Sequence, residues 1–573
     1  MEPFKQSKFF TVAALFLSLS SGALAQSVVP SKDIAAVFKS ASIQDRLYIE
    51  KQILEYTATI LRVPPMQALS QHQILAQDIL DLSEKDTTDQ EKRVLMIWAD
   101  MIEKKTLRNN IELMINNLKN SSTSIGEKIK STPQIYINYA QETLASSIEA
   151  VVKMRGLTAE SRQNSYLEWS NLSEKMLSKI NLSPSSIDHV LEFSGSRWLK
   201  TEKAESLIDG PASFAKRELL MSQAKNSINI LTWSVYDDVT GTRLADLLIP
   251  LKKKNKNLKI RIIVDGQVAL GAGRNAQLKR MQEAGVEVVH WFSAKNSYMG
   301  QHRKMIIVDN LHLIAGGLNY GDVYSHQNPD LKVARWRDTD IYLKGAGAEE
   351  GQQLFTKIWN DQLTEQKTLS YAKMRVLNTR SEQNGTGIDI SIIDNDIRIS
   401  KEGSNIMMTI LKAIRGAQHS VDIQNAYIIL FPALKTEIQS AISRGVKVRI
   451  LTNSGQSVDE PIVSIPILRS VLEFVKMGAQ VFVKKGATLH SKLIVVDSEL
   501  SMIMSYNLHP RSERVEGEMA VVVKDAAFAK SLLEVYKSDI SEEKAQAIIN
   551  QNDLVLPNSP VSVPSLRLFF DML

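Results

Sequence analysis

The sequence predicts an α/β fold: two mixed-sheet halves with helices on both faces, forming a pseudo-twofold pair and preceded by an all-α N-terminal domain. Three observations predict it. The tripeptide His302-Arg303-Lys304 returns as His490-Ser491-Lys492, 188 residues later, with the same residues downstream of each copy. Short β-branched runs alternate with helical stretches through residues 191–548. By contrast, residues 26–190 contain only Gly126 and Gly156 and repeat apolar residues at helical spacing, as in Ile97, Met101, Ile111, Met114, Ile115 and Leu118.

The elements follow in order. Residues 1–25 read as a secretory signal: Lys5 and Lys8 form a basic start, Phe9 to Leu19 an apolar stretch, and Ala23-Leu24-Ala25 a small-residue cleavage site before Gln26. The apolar stretch is short for a bilayer span, so export to the periplasm or beyond is expected. Residues 26–190 form the helical domain, which carries no catalytic motif. Residues 191–375 and 376–548 are the two halves. Ala224-Lys225-Asn226-Ser227-Ile228-Asn229-Ile230 is echoed by Ala417-Gln418-His419-Ser420-Val421-Asp422-Ile423, and Lys259–Val264 by Lys447–Thr452. This alternation suggests a mixed, largely parallel sheet flanked by helices. Residues 549–573 form a tail, Pro-rich after Leu554.

Composition removes some chemistries. The 573 residues include no cysteine, which excludes disulfides, thiolate catalysis and cysteine-ligated zinc. Loss of Lys5, Lys8 and Glu2 with the signal takes the formal charge from +6 to +5, mild for a chain of this length. Lys252-Lys253-Lys254, Lys256 and Lys259 form a basic run that suits a solvated helix end better than an anion-binding face.

The repeated motif carries the chemistry. In each copy the lysine is followed by four aliphatic residues, then an aspartate, Asp309 or Asp497, then an asparagine ten residues on, Asn319 or Asn507. Runs such as Met305-Ile306-Ile307-Val308 and Leu493-Ile494-Val495-Val496 read as buried strands. On a strand, residues i and i+2 share a face, so His302 would stand beside Lys304 and His490 beside Lys492. Two imidazoles and two ammonium groups around one pocket suit a phosphodiester. One imidazole attacks phosphorus, the other protonates the leaving oxygen, and the lysines hold the nonbridging oxygens. Asp309 and Asp497 fall at strand ends with the opposite parity and read as turn residues.

This paired pattern, each copy closing on Gly316-Gly317-Leu318-Asn319 or Met504-Ser505-Tyr506-Asn507, resembles the phospholipase D superfamily. Arg335-Trp336-Arg337-Asp338-Thr339-Asp340, Asn507-Leu508-His509-Pro510-Arg511-Ser512, Glu516-Gly517-Glu518-Met519 and Leu451-Thr452-Asn453-Ser454 are similar to bacterial cardiolipin synthases. Met504 stands where the family has glycine, and His509 where relatives have aspartate.

The resemblance implies that His302 is the nucleophile, forming a phosphohistidine, and that His490 is the general acid and base. It implies that Glu518 orients His302 and Asp338 orients His490. It places Lys304, Lys492, Asn319, Asn507, Gly317 and Ser505 around the phosphate. No metal or other cofactor is implied, because the lysines supply the positive charge. The expected substrate is a phospholipid at a membrane surface, hydrolysed or transferred to an alcohol, with one chain sufficient for the active site and no obligate protein partner. A secreted nuclease of the same superfamily is the alternative within this chemistry, nucleic acid being less favoured by the mild charge. A non-catalytic envelope-binding protein is the alternative outside it.

Overall fold

The computed structural model describes residues 171–555 apart from 270–272, 294–298, 368, 377–385, 397–402 and 460–462. The expected signal, nearly all of the expected helical domain and the tail beyond residue 555 lie outside the described residues. Both halves fall within one compact unit.

In chain order the strands are β1 (Leu199–Thr201), β2 (Lys203–Ile208), β3 (Ser227–Thr232), β4 (Lys259–Asp265), β5 (Glu287–Trp291), β6 (Gly300–Gln301), β7 (Met305–Val308), β8 (His312–Gly316) and β9 (Thr339–Lys344). The second half supplies β10 (Ile388–Asn395), β11 (Ser420–Asn425), β12 (Lys447–Asn453), β13 (Gln480–Lys484), β14 (Lys492–Val496), β15 (Leu500–Met504), β16 (Glu516–Lys524) and β17 (Ala545–Ile548). The first sheet runs β2-β9-β8-β7-β3-β4-β5. The second runs β10-β16-β15-β14-β11-β12-β13, with β1 added beyond β10 and β17 beyond β13. The duplication read from the motifs is therefore a duplication of topology.

The sheets are mixed, as expected, but mostly antiparallel, which corrects the expectation of largely parallel pairing. Apart from the two-residue β6 on β16, only β3–β4–β5 and β11–β12–β13 pair in parallel; β2–β9–β8–β7–β3 and its counterpart β10–β16–β15–β14–β11 are antiparallel. The cause lies in the motif aspartates. Asp309 and Asn310 adopt φ of 53° and 58°, and Asp497 and Ser498 53° and 56°, so each motif strand turns straight back instead of leading into a crossover helix. The Asp309 carboxylate also accepts the backbone N–H groups of Lys225, Asn226 and Ser227 at 2.7–2.8 Å, the entry to β3. Asp497 does the same for Gln418, His419 and Ser420 ahead of β11.

Alternation along the strands builds the layers. Met305 and Ile307 of β7, with Leu313 and Ala315 of β8, face a core shared with Leu493, Val495, Ile503 and Val521 of the second sheet. Phe355 and Trp359 of the helix Ala346–Glu365, and Leu532 and Tyr536 of the helix Ala526–Asp539, complete that core. Ile306, Val308 and Ile314 face the other way, against Phe214, Leu244, Leu248 and Met281 on the helices Asp209–Ser222, Val239–Lys254 and Ala276–Glu283. Full burial of each such aliphatic side chain contributes about 1.5–3 kcal/mol, so the shared core binds the halves together. The basic run ends the helix Val239–Lys254, where Lys252 Nζ donates to the carbonyls of Lys256 and Leu258.

Two short segments cross between halves. β1 lies ahead of the first sheet in sequence yet pairs with β10 of the second, and β6 pairs in parallel with β16. No helix among the described residues is long and apolar enough to cross a membrane.

Candidate active site

The segment β6 explains where the first histidine stands. Gly300 and Gln301 pair with Glu516 and Gly517 of the second half, and β7 begins only at Met305. His302, Arg303 and Lys304 therefore span the passage from one sheet to the other and are not strand residues, which corrects the strand-parity expectation for the first motif. The second motif mirrors this: Leu489 bridges Arg337 of the first half, and β14 begins at Lys492.

Each histidine is consequently held by the opposite half. His302 donates its backbone N–H to the Gly517 carbonyl at 2.9 Å, and its Nδ1 lies 3.0 Å from Glu518 Oε1. His490 donates its backbone N–H to the Arg337 carbonyl at 2.7 Å, and its Nδ1 lies 2.6 Å from Asp338 Oδ2. The carboxylate in each case belongs to the residue after the carbonyl, so one dipeptide fixes both the backbone and the ring. With Nδ1–H donated to a carboxylate, Nε2 of each ring keeps its lone pair.

The lysines fold back on the same loops. Lys304 Nζ donates to the His302 carbonyl at 2.6 Å; Lys492 Nζ donates to the His490 carbonyl and lies 3.1 Å from His490 Nδ1. Both are almost wholly buried, at 1% exposure. Burial lowers Lys304 to about 7 and Lys492 to about 8, against the pull of Glu518 and Asp338. Burial, followed by the neighbouring lysines, also lowers His302 well below its ordinary value and lowers His490, so both rings are neutral at pH 7. Asp338 is buried too, which would raise it, but His490 and Lys492 outweigh burial and hold it below the usual carboxylate range. Glu518 goes up, because burial outweighs Lys304 and its hydroxyl donors.

Ser505 and Gly317 support these carboxylates. The Ser505 hydroxyl donates to Glu518 Oε2, and that of Ser512 to Glu518 Oε1 at 2.6 Å. A Cβ at Gly317 would lie 2.1 Å from Asp338 Oδ1, so a side chain there would displace the carboxylate. A Cβ at Gly316, where φ is 153°, would meet Asp340 Oδ1 at 2.5 Å. That explains the difference at Met504: Gly316 pairs with Asp340, whereas Met504 pairs with Ala520, whose methyl group leaves room. Asp340 is itself engaged by Arg217 at 2.7 Å and Ser213 at 2.6 Å.

Asn319 and Asn507 are buried in the same region. Asn319 Oδ1 accepts from Thr232, and its amide stands beside the Tyr324 hydroxyl; among the described residues its buried Nδ2 has no partner at normal hydrogen-bond range, which suits a phosphoryl oxygen. Among the described residues Asn507 Oδ1 has no partner. Asp309 and Asp497 stand at the far ends of β7 and β14, in the turns already described.

Several residues escaped sequence reasoning. Trp336 stacks on His490 (5.3 Å, 28°), with Tyr324 edge-on at 5.1 Å, while Trp233 stands edge-on to His302 at 6.1 Å. Glu516 Oε2 is 3.9 Å from His302 Nδ1 and pairs with Arg511. Trp336 and Glu516 lie in the segments quoted above, two residues before each carboxylate, but no role was read for them. His302, Glu516 and Glu518 place ligand atoms within 4.8 Å of one another, the grouping among the described residues whose spacing could hold a cation. Two of its atoms, His302 Nδ1 and Glu518 Oε1, already bond to each other at 3.0 Å, and two lysines stand nearby.

A second pair is Asp265 and Asn453, at the ends of β4 and β12; Asn453 belongs to the segment Leu451–Ser454 that carries the resemblance, but the sequence indicates no role for either residue. Asp265 Oδ2 accepts from the backbone of Gln301 at 2.7 Å, and Asn453 Oδ1 accepts from Leu489 at 2.9 Å. Each thereby fixes the residue immediately before a motif histidine. Burial raises Asp265 to about 6.

Fold and site together define a two-motif enzyme scaffold in which each half completes the other's histidine. Each half carries a domain that matches the phospholipase D superfamily. Residues 219–344 and 410–540 match the family described as cardiolipin synthase, PLD-like domain. The chain is 28% identical over 340 residues to the major cardiolipin synthase of Bacillus subtilis, covering 58% of this chain and 68% of that protein. It is 28% identical over 352 residues to cardiolipin synthase A of Pseudomonas entomophila, covering 60% and 70%. The phosphatidylserine synthase of Haemophilus influenzae shares the fold, with a TM-score of 0.55 over 68% of this chain and all of that one, at 15% identity.

Proposed function

We propose that this protein is a phosphatidyltransferase or phospholipase D that acts on phospholipids through a phosphohistidine on His302. The observation that carries the reading is the pair of crossed His–carboxylate contacts, His302 with Glu518 and His490 with Asp338, around two buried lysines. The resemblance to curated cardiolipin synthases supports the lipid substrate.

In this mechanism Lys304, Lys492 and the amide of Asn319 bind the nonbridging oxygens. Their positive charge grows in value as negative charge develops there. His302 Nε2 attacks phosphorus, forming the N–P bond as the P–O bond to the leaving alcohol breaks. His490, protonated when the anionic substrate enters and supported by Asp338, gives that alcohol its proton. The neutral His490 then takes the proton of water or an incoming alcohol, whose oxygen displaces His302. Transfer and hydrolysis share the intermediate and differ only in the acceptor. The further part of the proposal is export, with the chain beginning at Gln26.

Vesicles of phosphatidylglycerol or phosphatidylethanolamine, given to the purified protein, should yield phosphatidic acid or cardiolipin, and added glycerol should divert product into the transfer ester. Efficient nicking of plasmid with no lipid consumed, both measured against His302→Ala, would replace this reading with the nuclease.

A further inference from the structure

Arg274 is a cation that the mechanism leaves unused. Its guanidinium lies over two rings, 5.5 Å from the centroid of Trp233 and 4.9 Å from that of Tyr236. Trp233 stands edge-on to His302. Tyr236 meets Tyr324 at 6.5 Å, and Tyr324 stands edge-on to His490. The arginine is thus one ring removed from His302 and two from His490. Among the described residues no acid pairs with it. Arg303, Arg337 and Arg511, which lie in or beside the motifs, are all ion-paired, with Asp394, Asp539 and Glu516.

We propose that Arg274 binds the phosphate of an anionic acceptor alcohol, so that the site holds two phosphate groups at once. The proposal deepens the transfer reading above and rests on it. Lys304 and Lys492 are buried and tied to the histidine loops, a placement that serves the scissile phosphate. Arg274, Trp233 and Tyr236 are only half-buried, less enclosed than the two lysines. The cation–π contacts of Arg274 fix the planar fork without consuming its donors, which leaves it free for two parallel bonds to a phosphate. The ligand class is an alcohol that carries a phosphate ester, whether a glycerophospholipid headgroup or a free glycerol phosphate. With that phosphate on Arg274, the acceptor hydroxyl attacks the phosphohistidine, the new P–O bond forms, the bond to His302 breaks, and the proton passes to His490.

The test uses the full chain with bis(p-nitrophenyl) phosphate as donor, and compares glycerol 1-phosphate with glycerol as acceptor. The wild type should use the charged acceptor at least about tenfold more efficiently, the worth of one charge-assisted contact. Arg274→Gln should erase that ratio and Arg274→Lys should keep part of it. Absence of the ratio in the wild type, or its survival in Arg274→Gln, overturns the proposal. So does an equal fall with both acceptors in both variants, the mark of a structural role. Repeating the comparison with phosphatidylglycerol vesicles identifies the source: the ratio with soluble acceptors but no vesicle turnover would uphold Arg274 and remove the lipid reading.

Discussion

Asp338 Oδ2 lies 2.6 Å from Nδ1 of His490, a residue 152 positions away in the other half. Glu518 stands in the same relation to His302, 216 positions back. Neither half holds a complete histidine site, so the duplicated unit can act only as a pair.

The first prediction follows from that exchange. Asp338→Asn keeps the shape but removes the charge that supports a protonated His490, while leaving the Arg337 carbonyl on its backbone. Turnover should fall by about 10²–10⁴-fold, the range of a lost general acid–base contribution, with thermal stability near that of the wild type. A variant that retains more than a tenth of wild-type turnover would show that the carboxylate does not assist His490.

Asp265 and Asn453 do the same work with different groups, and only an accepting oxygen is common to both. Asp265→Asn should therefore keep most of the activity, whereas Asp265→Ala should lower kcat with little change in KM, because the loop carrying His302 loses its anchor. Equal damage from both substitutions would mean that the charge of Asp265, and not its hydrogen bond, is what the site needs.

Much of this was legible in the sequence. The repeated His, Lys and Asn positions gave the site, and the matching strand order of the two sheets follows the echoes at residues 224–230 and 417–423. What escaped depends on chain crossing. Local periodicity cannot reveal that β1 joins the second sheet, or that Gly300 and Gln301 pair with β16, because both partners are distant in sequence. Asp265 and Asn453 were within reach: they come one residue after the echoed strands Lys259–Val264 and Lys447–Thr452. They differ in type, however, which hides the repeat. Mixed sheets were expected, but not so much antiparallel pairing, because two turn residues, Asp309 and Asn310, return the chain where a helix would have carried it across.

The lysines set a pH dependence. Each is charged below its pKa and neutral above it, and burial places Lys304 near 7 and Lys492 near 8. Dibutyl phosphate, a monoanion throughout this range, should inhibit competitively below pH 7. Its inhibition constant should rise by roughly tenfold per pH unit once a lysine must be recharged on binding. His302 stays neutral, while His490, neutral before the anion enters, takes up a proton with the anion and adds to the same rise. An inhibition constant that stays flat from pH 6 to pH 9 would take the lysines out of phosphate binding.

Export is tested separately from chemistry. Mass spectrometry of protein recovered from its native cells should find a chain that starts at Gln26, outside the cytoplasm. An intact form starting at Met1 in the cytoplasm would remove the export part of the proposal and leave the active site untouched.

The central claim is that His302 carries the phosphoryl group. Protein incubated with a labelled phosphodiester in the presence of a chelator, quenched quickly and mapped by peptide mass spectrometry should carry an acid-labile label on His302. His302→Ala should carry none, and His490→Ala should gain and lose the label slowly. A label on His490 would reverse the two roles, and turnover with no label on either histidine would contradict covalent catalysis.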